Sequence, residues 1–455
     1  MCKLSNSLVV LSAFFRFDLR TMRFPKFLRF LLPSKSRPFF DLLPDRIEQA
    51  VSNVPLRSLV TRLRRRRHDS TSNSTSERPR RQIFVDVSVI SENDAGTGIQ
   101  RVVRSLAFEL ALRTLDEWDI RFVSASRHRP YRVIAWPERA SGGDENEMRA
   151  EHGDIFVGLD YSLDAIRGNR CQLRRFRRDG GRLWFLVHDL LPLNRPDWFS
   201  RNTVIRYRSW LGILAGTADG FLCNSEQTRF ELAEALAKEF GLAQGYDAAV
   251  LPMGYSIQGS AASPQAPKKE GVPPRIDITQ PFVLMVGTVE PRKGHVDIIE
   301  AFDRLWDGGV EERLVLVGRK GWQVQALCER IVNHIEFGNK LFWFDDVDDL
   351  ELSQFYEACN GVIIASYAEG FGLPLLEALG YAKPVLARDI PIFHTFAANG
   401  VYHFPANADH STLARSIRAW VHGIRAGKIE IIAPRSSWSE SASALISVVS
   451  RAATL

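Results

Sequence analysis

From residue 82 onward the chain alternates short apolar runs with longer amphipathic stretches, and it does so twice, on either side of one break. In the first series "QIFVDVSVI" (82–90), "DIRFVSAS", "GDIFVGLD", "GRLWFLVHDL", "DGFLCNS" and "AAVLPMG" read as buried strands. Between them "GIQRVVRSLAFELAL", "YSLDAIRGNRCQLRRFRR", "TVIRYRSWLGILAG" and "EQTRFELAEALAKEF" repeat apolar residues near i, i+3, i+4 and i+7, the period of a helix with one buried face. A stretch rich in Pro, Gly, Ser and Lys at 257–279 reads as a linker. The second series follows at once, with strands "PFVLMVGT", "RLVLVG", "LFWF", "GVIIAS" and "PVLAR" separated by helical stretches such as "HVDIIEAFDRLW" and "DLELSQFYEAC". Strands alternating with helices predict a parallel sheet wound on both faces. The expected fold is therefore α/β, with two doubly wound, Rossmann-like domains at 82–256 and 280–432 facing a central cleft. The 455-residue length, too great for one ordinary domain, agrees.

Residues 1–81 read as a basic extension ending in a linker. The formal net charge is +6, but the arginine-rich run at 61–81 accounts for the excess, and the remainder is near neutral. Its basic pI thus describes a segment and not a surface. "MRFPKFLRFLL" mixes apolar and basic residues; it is read either as a poorly ordered extension or as an interfacial segment on anionic lipid. "LVVLSAFF" at 8–15 is too short to span a bilayer, and Met22 is a candidate start. The arginine run lacks interleaved aromatics, so nucleic acid is not expected as a partner. Five cysteines lie far apart with no CxxC spacing, which suits a reducing cytosol, not a disulfide framework or a zinc site.

Chemistry concentrates at two strand-to-helix junctions of the second half. In "GTVEPRKGH", Arg292 and Lys293 follow Gly287 just before a helix. Two cations beside a helix N-terminus suit a diphosphate, since backbone N–H groups and the helix dipole add to their charge. In "SYAEGFGLPLLEALG" (366–380), Gly370 and Gly372 would let backbone amides approach a ligand closely, and Pro374 fits the start of the next helix. Glu377 is expected in that helix's first turn, directed at the cleft. A carboxylate there accepts two hydrogen bonds from the vicinal hydroxyls of a ribose. The alternative, that it only complements the helix dipole, leaves Glu369 and the glycines unexplained.

"VGTVEPRKG" followed by "AEGFGLPLLEALGYAKPVLARDIP" resembles the retaining nucleotide-sugar glycosyltransferases of the GT4 family, which have the GT-B fold; the second motif matches that family's E-x7-E signature. The resemblance covers roughly 82–455 and extends to "TGIQRVVRSL" and "VHDLLPLNRPDWF", which look most like bacterial transferases, many of them mannosyl-type, that build surface polysaccharides. It implies that Arg292 and Lys293 neutralise the donor diphosphate, that Glu377 holds the ribose, and that Glu369 meets the donor sugar together with Gly370, Phe371, Gly372 and Leu373. In the first half, Gly96 and Gly98 would face the donor phosphates. His188, at the end of a strand, would lie near the reacting sugar; without the resemblance it would read as structural. Thr288 stands where many relatives carry an arginine, which shifts more of the phosphate binding to Arg292.

The implied activity is retaining transfer of a hexose, mannose by preference, from a donor such as GDP-mannose to a saccharide or lipid-linked acceptor. It would take place in the cytoplasm, at the inner face of the membrane if the basic extension binds there. A developing diphosphate charge can be met by Arg, Lys and helix N-termini, so no catalytic metal or other cofactor is expected. Asp345, Asp346, Asp348 and Asp349 read as a helix-capping loop and not as metal ligands. A sugar-nucleotide epimerase of the same fold, or a non-catalytic assembly subunit, are the alternatives. The first is disfavoured by the paired motifs, the second by the intact Arg292, Lys293, Glu369 and Glu377. A dehydrogenase is weaker still, because no GxGxxG follows a strand. The tail from 433 reads as a helix that either crosses back to the first domain or closes the second.

Overall fold

A computed structural model describes residues 80–94, 96–137, 146–255 and 276–453. The apolar-basic segment and most of the arginine run, read either as a poorly ordered extension or as a membrane-contacting segment, lie outside these residues. Among the described residues no helix is long and apolar enough to cross a membrane.

The first domain comprises β1 (Arg81–Asp86), α1 (Ser88–Glu92), α2 (Gly98–Ala111), β2 (Trp118–Ser124), β3 (Arg132–Val133), β4 (Ile155–Gly158), α3 (Leu163–Gly168), α4 (Arg170–Arg178), β5 (Arg182–Val187), α5 (Leu191–Asn194), α6 (Arg201–Ala215), β6 (Gly220–Cys223), α7 (Glu226–Phe240) and β7 (Asp247–Val250). Its seven strands run β3-β2-β1-β4-β5-β6-β7, all parallel except β3, which lies antiparallel to β2. The second comprises β8 (Phe282–Val286), α8 (His295–Asp307), β9 (Arg313–Val317), α9 (Gln325–Val332), β10 (Leu341–Phe344), α10 (Asp349–Ala358), β11 (Gly361–Ile364), α11 (Leu373–Gly380), β12 (Val385–Arg388), α12 (Pro391–His394), β13 (Val401–Phe404) and α13 (His410–Arg425). Its six parallel strands run β10-β9-β8-β11-β12-β13. In both sheets the strand order reverses beside the first strand, between β1 and β4 and between β8 and β11. The crevice where ligands enter such sheets opens there.

Several boundaries differ from the sequence reading. The run 82–90 is not one strand: β1 ends at Asp86, whose carboxylate accepts hydrogen bonds from the Ser88 amide (2.9 Å) and hydroxyl, and α1 begins at Ser88. Nor is 161–178 one helix. Asn169 separates α3 from α4, its side-chain amide donating to Ala165 O (2.9 Å), Ser126 O (2.9 Å) and Arg129 O (3.1 Å). At the end of the 257–279 stretch Ile276 is buried in the second domain's core, and Arg313 Nη2 donates to Asp277 O at 2.6 Å.

The tail forms α14 (Trp438–Ala453). Trp438, Ala442, Leu445 and Val449 share a cluster with Val103, Leu106, Ala107 and Leu110 of α2, so this helix packs on the first domain. Ser436 Oγ donates to Met253 O at 2.7 Å and fixes the return.

Candidate functional site

The site is built where the loops after β5, β8 and β11 meet. After β8 the chain turns through a short 3-10 segment, Pro291–Lys293, into α8. Lys293 Nζ lies 2.6 Å from Glu369 Oε1, Arg292 Nη1 lies 2.8 Å from Glu369 Oε2, and Ser366 Oγ donates to Glu369 at 2.6 Å. Arg292 Nε reaches Glu290 Oε1 at 2.7 Å. The two cations expected to receive a diphosphate are thus already balanced by two carboxylates, Glu290 and Glu369, each less than a tenth exposed. Burial alone would raise the Glu369 carboxyl, but Lys293 and Arg292 outweigh it and hold it down to about 2.

Gly370 carries this loop against the first domain. A Cβ there would lie 2.1 Å from His188 O and 2.8 Å from Asp189 Cβ, a clash that only glycine avoids. Its carbonyl accepts from Ser225 Oγ (2.8 Å) and Thr228 Oγ1 (3.2 Å) at the start of α7. His188 O accepts from Asn224 Nδ2 at 2.7 Å. The His188 ring is buried with Nε2 2.9 Å from Leu159 O. Burial lowers its pKa against the pull of Leu159 and Asp189, so the ring is neutral, with the proton on Nε2 facing that carbonyl and Nδ1 left as acceptor. Gly372 caps α11 at φ 92°, a conformation an L side chain resists. Phe371 and Leu373 pack their side chains in the apolar cluster below, so a polar ligand would meet their backbone.

Glu377 differs from expectation. It is the fifth residue of α11, in the second turn and not the first, and is 1% exposed. Its Oε1 lies 2.6 Å from Arg101 Nη2 of α2, and its Oε2 accepts from the Tyr356 hydroxyl at 2.8 Å. Burial lifts the carboxyl above its usual range, and Arg101 and Tyr356 oppose that only in part. A carboxylate has lone pairs for two further donors, but in this structure Arg101 and Tyr356 enclose it. Arg104, one turn on, pairs with Asp349, and Arg101 Nε approaches the same residue at 3.6 Å. Asp348 caps α10 by accepting from the Glu351 amide at 2.9 Å.

Gly96 and Gly98 stand exposed at the start of α2, with open space where a Cβ would go; Gly96 needs glycine for its φ of 65°. Thr97 between them caps α2 through a reciprocal pairing with Gln100. Close by, Asp160 at the end of β4 is 5% exposed, and its Oδ2 has no hydrogen-bond partner among the described residues. Burial raises its pKa to about 6, with Asp86 and Asp94 adding to the rise and the Tyr161 amide opposing it. Sequence reasoning missed Arg101, Asp160 and Glu290. Glu290 adjoins the Arg-Lys pair and was in reach; Arg101 matters through partners far along the chain, Glu377 and Asp349.

Two parallel-sheet α/β domains meeting at the C-terminal ends of their strands define the GT-B class. Sucrose-phosphate synthase of Thermosynechococcus elongatus superposes with a TM-score of 0.51 at 20% identity, covering 82% of this chain and 97% of that one. Anabaena HepE in complex with UDP and glucose gives 0.52 at 15% identity, over 82% and 98%. The family of glycosyl transferases group 1 matches residues 269–428, which span the second domain. The serotype-specific mannosyltransferase WbdA of Escherichia coli is 30% identical over 359 residues, 77% of this chain and 43% of WbdA. The O-antigen chain mannosyltransferase RfbU of Salmonella typhimurium is 23% identical over 218 residues, 48% of this chain and 55% of RfbU. The chain therefore spans less than half the length of the WbdA proteins it matches.

Proposed function

We propose that the protein transfers a hexose, mannose in our reading, from a nucleoside-diphosphate sugar to a saccharide or lipid-linked acceptor in surface polysaccharide synthesis, with retention of configuration. The observation that carries this is the junction of Glu369, Arg292 and Lys293 with the His188–Asp189 turn across Gly370. There the second domain brings Arg292 and Lys293, paired with Glu290 and Glu369, up to the turn of the first domain that carries the buried His188. The names of the relatives, mannosyltransferases of O-antigen and serotype-specific chains, favour mannose. In this reading Arg292 and Lys293 exchange part of their pairing with Glu369 for the donor diphosphate, and the freed carboxylate accepts from sugar hydroxyls. Charge developing on the leaving diphosphate is met in place by those cations and by the helix N-termini, and the reaction needs no metal. Glu377 holds the ribose after Arg101 has withdrawn, so donor binding and the interdomain ion pair compete for one carboxylate.

Calorimetric titration of GDP-mannose and other nucleotide sugars into the wild type and Glu377→Ala tests the reading. Loss of a bidentate hydroxyl grip should raise the donor dissociation constant at least ~10-fold, about 1.4 kcal/mol. An equal constant in the two proteins removes the ribose role.

A further inference from the structure

Beside the clamp, on the rim of the same cleft, four aromatic side chains from both domains lie in sequence. Trp198 and Phe199 follow β5, Trp322 follows β9 and Tyr367 follows β11. Phe199 and Trp322 stack with centroids 5.5 Å apart and planes 28° apart, and Trp198 and Tyr367 approach at 6.5 Å. The Trp322 indole N–H donates to Trp198 O at 2.6 Å. The rim is continuous with the site: the Tyr367 amide donates to Arg292 O at 2.8 Å, and Tyr367 stands two residues before Glu369.

Rings that served only to join two domains would be buried. Trp322 is 38% and Tyr367 42% exposed, and large wet aromatics grouped beside a polar cleft mark a ligand surface. Cations already lie over one face of two of the rings, Arg195 over Trp198 at 3.7 Å from the centroid and Arg388 over Tyr367 at 4.0 Å, which leaves the opposite faces for a ligand; Arg195 also pairs with Asp197 at 3.4 Å. A pyranose matches both features, since one face of it is a patch of C–H bonds that rests on an aromatic ring while its hydroxyls point outward to charged or polar partners.

We propose that Trp198, Phe199, Trp322 and Tyr367 form a platform for the acceptor saccharide chain, stacking the sugar units behind the one that receives the hexose. The proposal rests on the transferase reading above. It gives the acceptor a place that both domains complete, so that an acceptor chain is gripped in the closed form, where the Gly370 loop meets His188.

The test titrates the full chain with a linear α-linked mannotetraose, followed by tryptophan fluorescence and by calorimetry, for the wild type, Trp322→Ala and Trp198→Ala. Donor binding is measured by calorimetry and folding by circular dichroism on the same samples. The wild type should bind the tetrasaccharide; both variants should weaken it at least ~10-fold while the donor dissociation constant moves less than ~2-fold, and Trp322→Phe should restore most of the affinity. Unchanged tetrasaccharide binding in the two folded alanine variants overturns the platform, as does a wild type that binds donor but no saccharide. Saccharide binding lost on Trp322→Ala, in a protein that turns over no nucleotide sugar, would uphold the platform and remove the transferase reading.

Discussion

Asp160 and Glu369 are buried carboxyls displaced in opposite directions, and each leaves its own mark on stability. Glu369 is held down to about 2 by Lys293 and Arg292 against the cost of burial, so its contribution is present above the ordinary 4.5 and lost as pH falls through 2. Among the described residues a single hydrogen bond, from the Tyr161 amide, opposes the burial of Asp160, which stands raised from 3.8 to about 6. Its contribution has the other sign: full below 3.8, and lost as pH rises through 6. Asp160→Asn should therefore be more stable than the wild type at pH 7.5, by at most about 3 kcal/mol, and equal to it near pH 3.8. Urea unfolding at the two pH values measures this; a stability difference independent of pH would contradict the assignment. The Glu369, Arg292 and Lys293 cluster was legible from sequence because a glutamate before two glycines and an Arg-Lys pair before a helix each follow an apolar strand. Asp160 was not, because a lone aspartate after a strand reads as an ordinary turn residue, and only packing shows that its Oδ2 goes without a partner among the described residues.

At the level of elements, the loop after β11 is positioned by close approach. Gly370 meets His188 O from the first domain, and a methyl group there has nowhere to go while the cleft is closed. Because the obstacle belongs to the other domain, Gly370→Ala relieves the clash by opening the cleft and not by unfolding. Its unfolding midpoint should stay within a few degrees of the wild type, its radius of gyration should rise in small-angle scattering, and turnover should fall at least ~10-fold, about 1.4 kcal/mol of barrier. An unchanged radius with unchanged turnover would show that the contact is dispensable. The same scale explains most of the boundary errors. The order of strands and helices was readable because each element buries a face with its own period. The stop after Asp86 and the break at Asn169 were not, since both are set by side-chain hydrogen bonds to backbone groups that no periodicity encodes. The short strand β13, with Tyr402 exposed in its centre, carries too little apolar signal to be read at all.

For the molecule as a whole, α14 ties the end of the chain to the first domain. Trp438 is 2% exposed among the apolar residues of α2, and a Cβ on Gly254 would lie 2.5 Å from the Trp438 amide. Trp438→Ala should cost roughly 3–5 kcal/mol, read as a lowered unfolding midpoint, and should affect the first domain's transition; a shift confined to the second domain would contradict this packing. From sequence alone the tail could have closed either domain, since its apolar face fits both and only the surface of α2 decides between them. The central claim is that these two domains meet to move a sugar. It is tested most directly by supplying GDP-mannose and a manno-oligosaccharide acceptor to the wild type and Glu369→Gln in EDTA, and following product by NMR. The account predicts acceptor-dependent release of nucleoside diphosphate, a product that keeps the donor's anomeric configuration, and a rate at least ~100-fold lower in Glu369→Gln, about 2.7 kcal/mol. A folded wild type that releases nucleotide from no donor in a panel of nucleotide sugars, with or without added metal, or a Glu369→Gln protein as fast as the wild type, would contradict it.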